Sequence, residues 1–507
     1  MEENRLTDNL FTKGMIIVAL IILGKVIAFG KIIVISNAFG TTDEADAFFL
    51  SLNITTILFT GFSSTIAASF LPSYNEKKLI DREFATDFAS NIISMYMAVC
   101  LIISAVVFIY SFEIISLFSP SSFGDRNNLA SNMLRVMVVS FSFSTFVGFL
   151  MSIELSHKLL YPSHWLPLVN NLIVVVSLVV LAPRYGLIVA AFAGTAAWII
   201  QVPVHLWILR GRFKYKLGIL RIDSSVVNWA GLFAPIFLCT LLDQAGILID
   251  TTLASPLSGG SISSINYANR LITFSTGIFV AASISVFYPI FSDAAAERDR
   301  AKLRDTLSAA TTGITVISFF TMCVIVVYHV EIVQTVFERG SFQHAKTILT
   351  SKILLLYGVG IFFWSMRELL NRVFYSLKEA KKPLLVGIIM VAANVVLSIN
   401  LVDAIGLIGL PLATSISFGI GFAIQLCLLK GIIGGEYFTG FAKVLAKTII
   451  CSAISVGSMV LVRRYLEINL VVLRLIVGVC VGGGTYFLAQ YLMLGFSLKQ
   501  LLGAKLK

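Results

Sequence analysis

Lys25, Lys31 and Arg270 stand in stretches otherwise apolar enough to cross a bilayer. Arg270 lies in Ile265-Asn266-Tyr267-Ala268-Asn269-Arg270-Leu271-Ile272-Thr273-Phe274. Asp46, Glu154, Asp243, Asp250, Arg367 and Glu368 also fall within or at the edges of membrane-length segments. A charge at a helix centre costs about 2.5–3.5 kcal/mol on insertion scales, so several are sustained together only where they face one another or a water-filled cavity. Arg and Lys in such a cavity bind phosphate oxygens through charge-assisted hydrogen bonds. The chemistry implied is recognition and passage of a polar group.

Spacing refines this. Lys25 and Lys31 lie about 120° apart on a helical wheel, so they either border one broad cavity wall or one of them snorkels to an interface. Asp46 begins a span in Ala45-Asp46-Ala47-Phe48-Phe49. An acid there suits the helix dipole, and it is also placed to pair with Lys31. Asp243 and Asp250 share one helix face. Asp250 falls within hairpin reach of Arg270, as a permanent counter-ion or as one exchanged for a substrate anion. Among five dispersed histidines, His205 lies in a span and suits a proton relay or a satisfied structural role.

The elements that must position these groups are membrane helices. The 507 residues are 57% apolar and 13% charged, with mean hydropathy +0.91; a soluble domain carries about 25% charged residues. Apolar runs of about 20 residues recur throughout, a membrane pattern, and strand alternation is absent, which argues against a barrel. The fold class is therefore all-α and polytopic. Fourteen spans are expected at about 13–38, 45–72, 85–112, 129–156, 164–183, 186–209, 226–255, 262–292, 306–331, 347–377, 384–402, 405–429, 441–463 and 468–495. Of 38 Lys and Arg, 25 fall at alternate ends and loops shared with the N-terminus and 6 on the opposite side. That asymmetry places both termini in the cytoplasm and explains the net charge of +11 without nucleic acid. The N-terminus lacks the form of a signal peptide. Six single cysteines suggest neither metal site nor disulfide framework. Phosphate loop, HExxH and nucleophile elbow are missing. Gly358-Val359-Gly360 and Gly419-Ile420-Gly421 read as close helix approaches, and Gly482-Gly483-Gly484 reads as another or as a bend.

The chain also repeats itself. Phe118–Phe123 matches Phe337–Phe342, Glu154-Leu155 with Tyr161 matches Glu368-Leu369 with Tyr375, and Gly186-Leu187-Ile188 matches Gly406-Leu407-Ile408. Leu209-Arg210-Gly211 matches Leu429-Lys430-Gly431, and Phe70 and Pro72 match Phe287 and Pro289. An even number of spans per copy makes the repeats parallel, with a binding site expected between halves. The expected organisation is an N-terminal lobe over 1–222, a second lobe over 223–432, and two extra helices over 433–507. Glu154 and Glu368, at equivalent positions near inside ends, suit a shared role in anchoring cytoplasmic gates.

These residues resemble a known family. Two six-span lobes, Phe39-Gly40 followed by Asp46-Ala47-Phe48-Phe49, then Phe70-Leu71-Pro72-Ser73-Tyr74, and Tyr267-Ala268-Asn269-Arg270-Leu271 look like the MviN/MurJ-type lipid II flippases of the multidrug/oligosaccharidyl-lipid/polysaccharide (MOP) exporter superfamily. The resemblance implies a transporter that moves undecaprenyl-pyrophosphate-linked peptidoglycan precursor to the outer leaflet of the bacterial cytoplasmic membrane. It implies that Lys25, Lys31 and Arg270 bind the pyrophosphate, that Asp46 gates the outer side, and that the two extra helices groove the lipid tail. Asp243, Asp250 and Asn269 are further gating or ion-pair candidates. Departures stand out: two lysines replace arginines, losing the bidentate fork; Phe59 takes a usual arginine position; Asn269 replaces a motif aspartate. They fit a sibling flipping another polyprenyl-linked saccharide.

No cofactor is expected. Moving one charge through 100 mV is worth about 2.3 kcal/mol, so an anionic cargo leaving an inside-negative cell moves downhill; membrane potential, or a monovalent ion coupled through Asp243 and Asp250, is the expected drive. Rival readings are an exopolysaccharide or O-antigen repeat-unit flippase, a drug/cation antiporter, which calls for an acidic aromatic cavity, and a cell-wall polymerase, which calls for a catalytic acid or base on an outer loop.

Overall fold

In lipid every backbone N–H and C=O must be satisfied within the chain, and long apolar segments do this as helices. The computed structural model describes residues 2–119, 124–159, 161–216, 221–377, 379, 381–465 and 470–495. All of its regular elements are helical: α1 Glu2–Phe39, α2 Asp43–Ile80, α3 Arg82–Ile109, α4 Ser111–Phe118, α5 Gly124–Ser156, α6 Pro162–Tyr185, α7 Ile188–Ile208, α8 Ser224–Ala254, α9 Ser261–Ala296, α10 Arg300–Phe337, α11 His344–Ser376, α12 Lys381–Ile405, α13 Gly409–Ile433, α14 Gly435–Tyr465 and α15 Val471–Leu494. All but α4 have 21 residues or more, so the described long helices answer to the fourteen expected spans, and the chain is a multi-pass membrane protein. Among the described residues, twelve stretches are long and apolar enough to cross a membrane, one of them running through both α12 and α13. Helix α4 was not anticipated. Tyr110 leaves helical geometry (φ −94°, ψ 25°) and ends α3 inside the third expected span.

The duplication is visible in the helix starts. Residues 43, 82, 124, 162 and 188 open α2, α3, α5, α6 and α7, while 261, 300, 344, 381 and 409 open α9, α10, α11, α12 and α13. Even a cap recurs. The Asp81 carboxylate accepts from the Phe84 N–H at the start of α3, and Asp299 accepts from Lys302 N–H at the start of α10, each satisfying an orphan donor of the first turn.

The chain forms two compact units, Met1–Ser263 and Ser264–Lys507. In the first, α2 packs on α5 and α8, α5 on α7, and α1 on α6. Its core is aromatic: Phe62, Phe70, Tyr96, Phe141, Phe149 and Trp229 are buried together. In the second, α10 packs on α11, α11 on α13, and the α14–α15 hairpin on α10. Small residues set these approaches, as expected. A Cβ on Gly358 would come within 2.7 Å of Ile325 on α10, and one on Gly360 within 2.5 Å of the Ser415 hydroxyl on α13. Gly478 likewise faces Tyr328, where α10 departs from helical geometry (φ −116°, ψ 19°). The Tyr328 hydroxyl donates to the Met459 carbonyl of α14.

Candidate functional site

Helix α2 opens with three acids, Asp43, Glu44 and Asp46, where negative charge complements the helix dipole. Asp46 goes further. Its side chain is fully buried and caps a different helix. Oδ1 accepts from the Ser263 N–H and Oδ2 from the Gly260 N–H, both at 2.8 Å. These are donors at the start of α9, the helix that carries Arg270. Such N–H groups have no intrahelical acceptor. Gly260 sits at φ +84°, a conformation glycine adopts without a Cβ clash, and this turns its N–H onto the carboxylate. Arg126, at the start of α5, completes the arrangement. Its Nη1 lies 3.5 Å from Asp46 Oδ2, and Nη2 donates to the Ser255 carbonyl at 2.8 Å and to the Ser119 hydroxyl at 3.3 Å. Asp46 and Arg126 thus tie α2, α5 and the α8–α9 turn at one end of the bundle. Glu44 adds a bond from the Leu187 N–H, holding the α6–α7 turn.

Two expectations are corrected here. Asp46 does not pair with Lys31. Lys31 extends toward α6, where its Nζ donates to Asn171 Oδ1 at 3.0 Å, and Asn171 anchors itself on the Pro167 carbonyl one turn back. Arg126, one of the six basic residues expected in loops on the side opposite the termini, lies inside a helix and is 4% exposed. Arg463 is similar: it ends α14 and pairs with buried Glu331 on α10 at 2.8 Å. The spacing of basic residues could place Arg126 at a membrane edge but could not reveal its carboxylate partner 80 residues away.

Lys25 is half-buried on α1, and Arg270 and Asn269 are half-buried on α9. Around Arg270, Tyr267, Ala268 and Leu271 are buried; Tyr267 is wedged against Phe337 and Phe342, ring centroids 5.0 and 5.5 Å away. This fixes the rotation of α9 and hence the direction of its cation. Within its own unit, among the described residues, no carboxylate pairs with the Arg270 guanidinium. A desolvated cation on an apolar helix with no internal counter-ion is a ready anion site. Asp250 is buried on α8; the side chain of Asp243 falls outside the described residues. Phe59 stacks on Phe141, centroids 5.7 Å apart, at the margin of the aromatic core. An arginine there would have to displace that packing.

Glu154 and Glu368 do not share one chemistry. Glu154 is buried against His205 of α7, 2.7 Å from its Nδ1; Glu368 is partly exposed and lies 3.8 Å from both Arg367 and Arg372. Backbone alignment of the repeats preserves position, but each lobe has supplied its own partner.

The far end of α2 is basic. Lys78 Nζ donates to the Ser156 carbonyl and to His157 Nδ1, at 3.0 and 3.2 Å. Arg82 Nη2 donates to the Arg212 carbonyl at 3.0 Å. Burial, and then the cations Lys78, Arg82 and Arg212, push the His157 imidazole down to about 4. The folded state therefore keeps it neutral while the unfolded chain protonates near 6.5. Between those values the unfolded state binds more protons, so stability rises with pH through that window and is lost as pH falls toward 4. Thermal melts in detergent should show it. The drop in stability from pH 6.5 to pH 4 should be about 1 kcal/mol smaller in His157→Gln than in the parent, the figure discounted for solvent reaching the ring.

The family model for the lipid II flippase MurJ matches residues 35–480. A probable lipid II flippase MurJ of Thermotoga maritima is 25% identical over 437 residues, covering 85% of this chain and 86% of the relative. One from Vibrio cholerae serotype O1 is 24% identical over 444 residues, covering 84% and 83%. Among solved structures, a lipid II flippase MurJ in an inward closed conformation superposes with TM-score 0.82 at 22% identity, over 94% of this chain and 98% of that one. An inward-facing multidrug resistance MATE transporter of the MOP superfamily gives 0.66 at 15% identity, over 81% and 94%. The structural likenesses establish the MOP-type fold, and the family model, spanning most of the sequence from α1 to α15, establishes that this chain belongs to the lipid II flippase MurJ family.

Proposed function

We propose that this protein moves lipid II, a polyprenyl-pyrophosphate-linked glycan, from the inner to the outer leaflet of a bacterial cytoplasmic membrane. It is a transporter rather than an enzyme: no covalent bond of the cargo changes. The observation that carries the reading is Arg270, a half-buried cation on an apolar helix with no carboxylate partner in its unit among the described residues. A pyrophosphate is the ligand whose charge and acceptor geometry suit it best. Lys25 and Lys31 supply further positive charge from α1, with Asn171 holding Lys31 in place.

In this reading the lobes 1–222 and 223–432 rock about the bound head group, exposing it to each side in turn. Residues 433–507, containing α14 and α15, line the path of the prenyl tail. Asp46 gates the outer side, because its bonds to the start of α9 must break for α2 to leave. Both termini face the cytoplasm. No cofactor takes part. The drive is the membrane potential, worth about 2.3 kcal/mol per charge per 100 mV, or a monovalent ion held near Asp243 and Asp250.

A second reading, a flippase for another polyprenyl-linked oligosaccharide, draws on Phe59, whose stacking on Phe141 puts an aromatic face where the family resemblance implies an arginine. Complementation separates the two. In a strain depleted of its lipid II flippase, the wild-type chain is expected to restore growth, and Lys25→Glu with Lys31→Glu to abolish rescue while still accumulating in the membrane. No rescue by a well-expressed wild-type chain would favour the second reading.

A further inference from the structure

Glu154 on α5 and His205 on α7 form a titratable pair in the first unit, both side chains fully buried, with Glu154 Oε1 2.7 Å from His205 Nδ1. Neither Glu154 Oε2 nor His205 Nε2 has a hydrogen-bond partner among the described residues, and the same holds for Oε1 of Gln201, one turn earlier on α7. The duplicated helices provide an internal control. On α11 and α13 the corresponding seam is closed by Asn371 and Gln425, whose amides bond at 2.6 Å with both residues buried. The second unit thus ties the two helices with groups that cannot titrate. The first uses a carboxyl group and an imidazole, which can.

We propose that Glu154 and His205 are a proton-binding site, which holds one proton while α5 and α7 stay packed and releases it when they part. With one proton the pair is neutral overall, whether written as two neutral groups or as carboxylate and imidazolium. Losing it leaves a buried anion, and gaining a second leaves a buried cation; an uncompensated charge away from water is strongly disfavoured. Among the described residues, Glu154 and His205 make no ion pair other than their own. At this end, α2 brings Glu76, Lys77 and Lys78, the start of α3 brings Arg82 and Glu83 behind the Asp81 cap, and α6 brings His164. His157 and Lys158 follow α5, and Arg210 and Arg212 follow α7. Helix α4, which also packs on α5, brings Glu113.

The pH dependence follows from proton counting. In the unfolded chain Glu titrates near about 4.3 and His near about 6.5, so the pair holds two protons below that range, one within it and none above it. The proposed site keeps its one proton while it stays buried, because either charged alternative is uncompensated there. Below about 4.3 the unfolded state binds more protons and stability falls as pH falls; above about 6.5 the folded state binds more and stability falls as pH rises.

The test is the melting temperature of the full chain in detergent from pH 4 to pH 8.5, set against Glu154→Gln/His205→Gln, which copies the amide seam of the second unit. His157 is present in both proteins, so its contribution cancels. The wild-type melting temperature, relative to the variant, is expected to be highest between about pH 4.5 and 6.5 and to fall by at least about 2 °C toward each extreme. A difference that stays constant across the range overturns the proposal. His205→Gln alone provides a second measurement. With only Glu154 left to hold the proton, its melting temperature should decline steadily relative to the double variant as pH rises from 4. A profile parallel to that of the double variant overturns the proposal as well. Neither measurement uses lipid II, so both are independent of the cargo.

Discussion

Asp46→Ala is expected to destabilise the folded protein by about 3–5 kcal/mol, the range for removing one partner of a buried ion pair. Three groups lose their acceptor together: the Arg126 guanidinium and the N–H groups of Gly260 and Ser263. Arg126 retains the Ser255 carbonyl and the Ser119 hydroxyl but loses its paired carboxylate, and it is too buried to recruit bulk water. Asp46→Asn should cost less, because one carboxamide oxygen still accepts an N–H while the amide nitrogen opposes another donor. Arg126→Ala should also cost less, since two N–H donors continue to solvate the carboxylate. A double-mutant cycle on thermal melts tests the assignment: a coupling energy for Asp46 and Arg126 within about 0.5 kcal/mol of zero would mean that each acts alone. A cysteine at Ser263 reports the mechanical consequence. If Asp46 is the tie that caps α9, removing it should speed labelling of Ser263→Cys by a water-soluble thiol reagent in detergent.

Much of this was legible in the sequence because lipid imposes strong rules on composition. Apolar length marked the helices. Matches such as Phe70 with Phe287 exposed a duplication that the helix starts repeat. What escaped was pairing across distance. Nothing around Arg126 distinguishes it from a surface arginine; its partner is separated from it by most of α2, α3 and α4. Asp46 was recognised as an acid at a helix start, yet the helix it caps is α9 rather than its own, because the α8–α9 turn folds back upon α2. The sequence marks both His205 and Glu154 but not as a pair, since a periodic pattern says which face a residue occupies but not which side chain meets it. Asn171 carried no signal at all: an amide in an apolar span becomes informative only when Lys31 reaches it.

Arg270→Ala is expected to abolish rescue of a lipid II flippase-depleted strain and to cut flipping in proteoliposomes by about 10²-fold. The magnitude follows from losing charge-assisted hydrogen bonds worth on the order of 3 kcal/mol. Arg270→Lys should recover part of the activity, keeping the charge but losing the planar fork that grips two phosphate oxygens. The stability response should be opposite to that of Asp46→Ala. Arg270 has no carboxylate partner within its unit among the described residues, so alanine removes no ion pair there and relieves a desolvated charge; the melting temperature should hold steady or rise. Tyr267 still locks the rotation of α9 between Phe337 and Phe342, so the helix should not turn to compensate. A loss of transport without a loss of stability marks a residue kept for its ligand. If Arg270→Ala flips lipid II at the wild-type rate, the pyrophosphate is held elsewhere; if it melts several degrees lower, the guanidinium is structural.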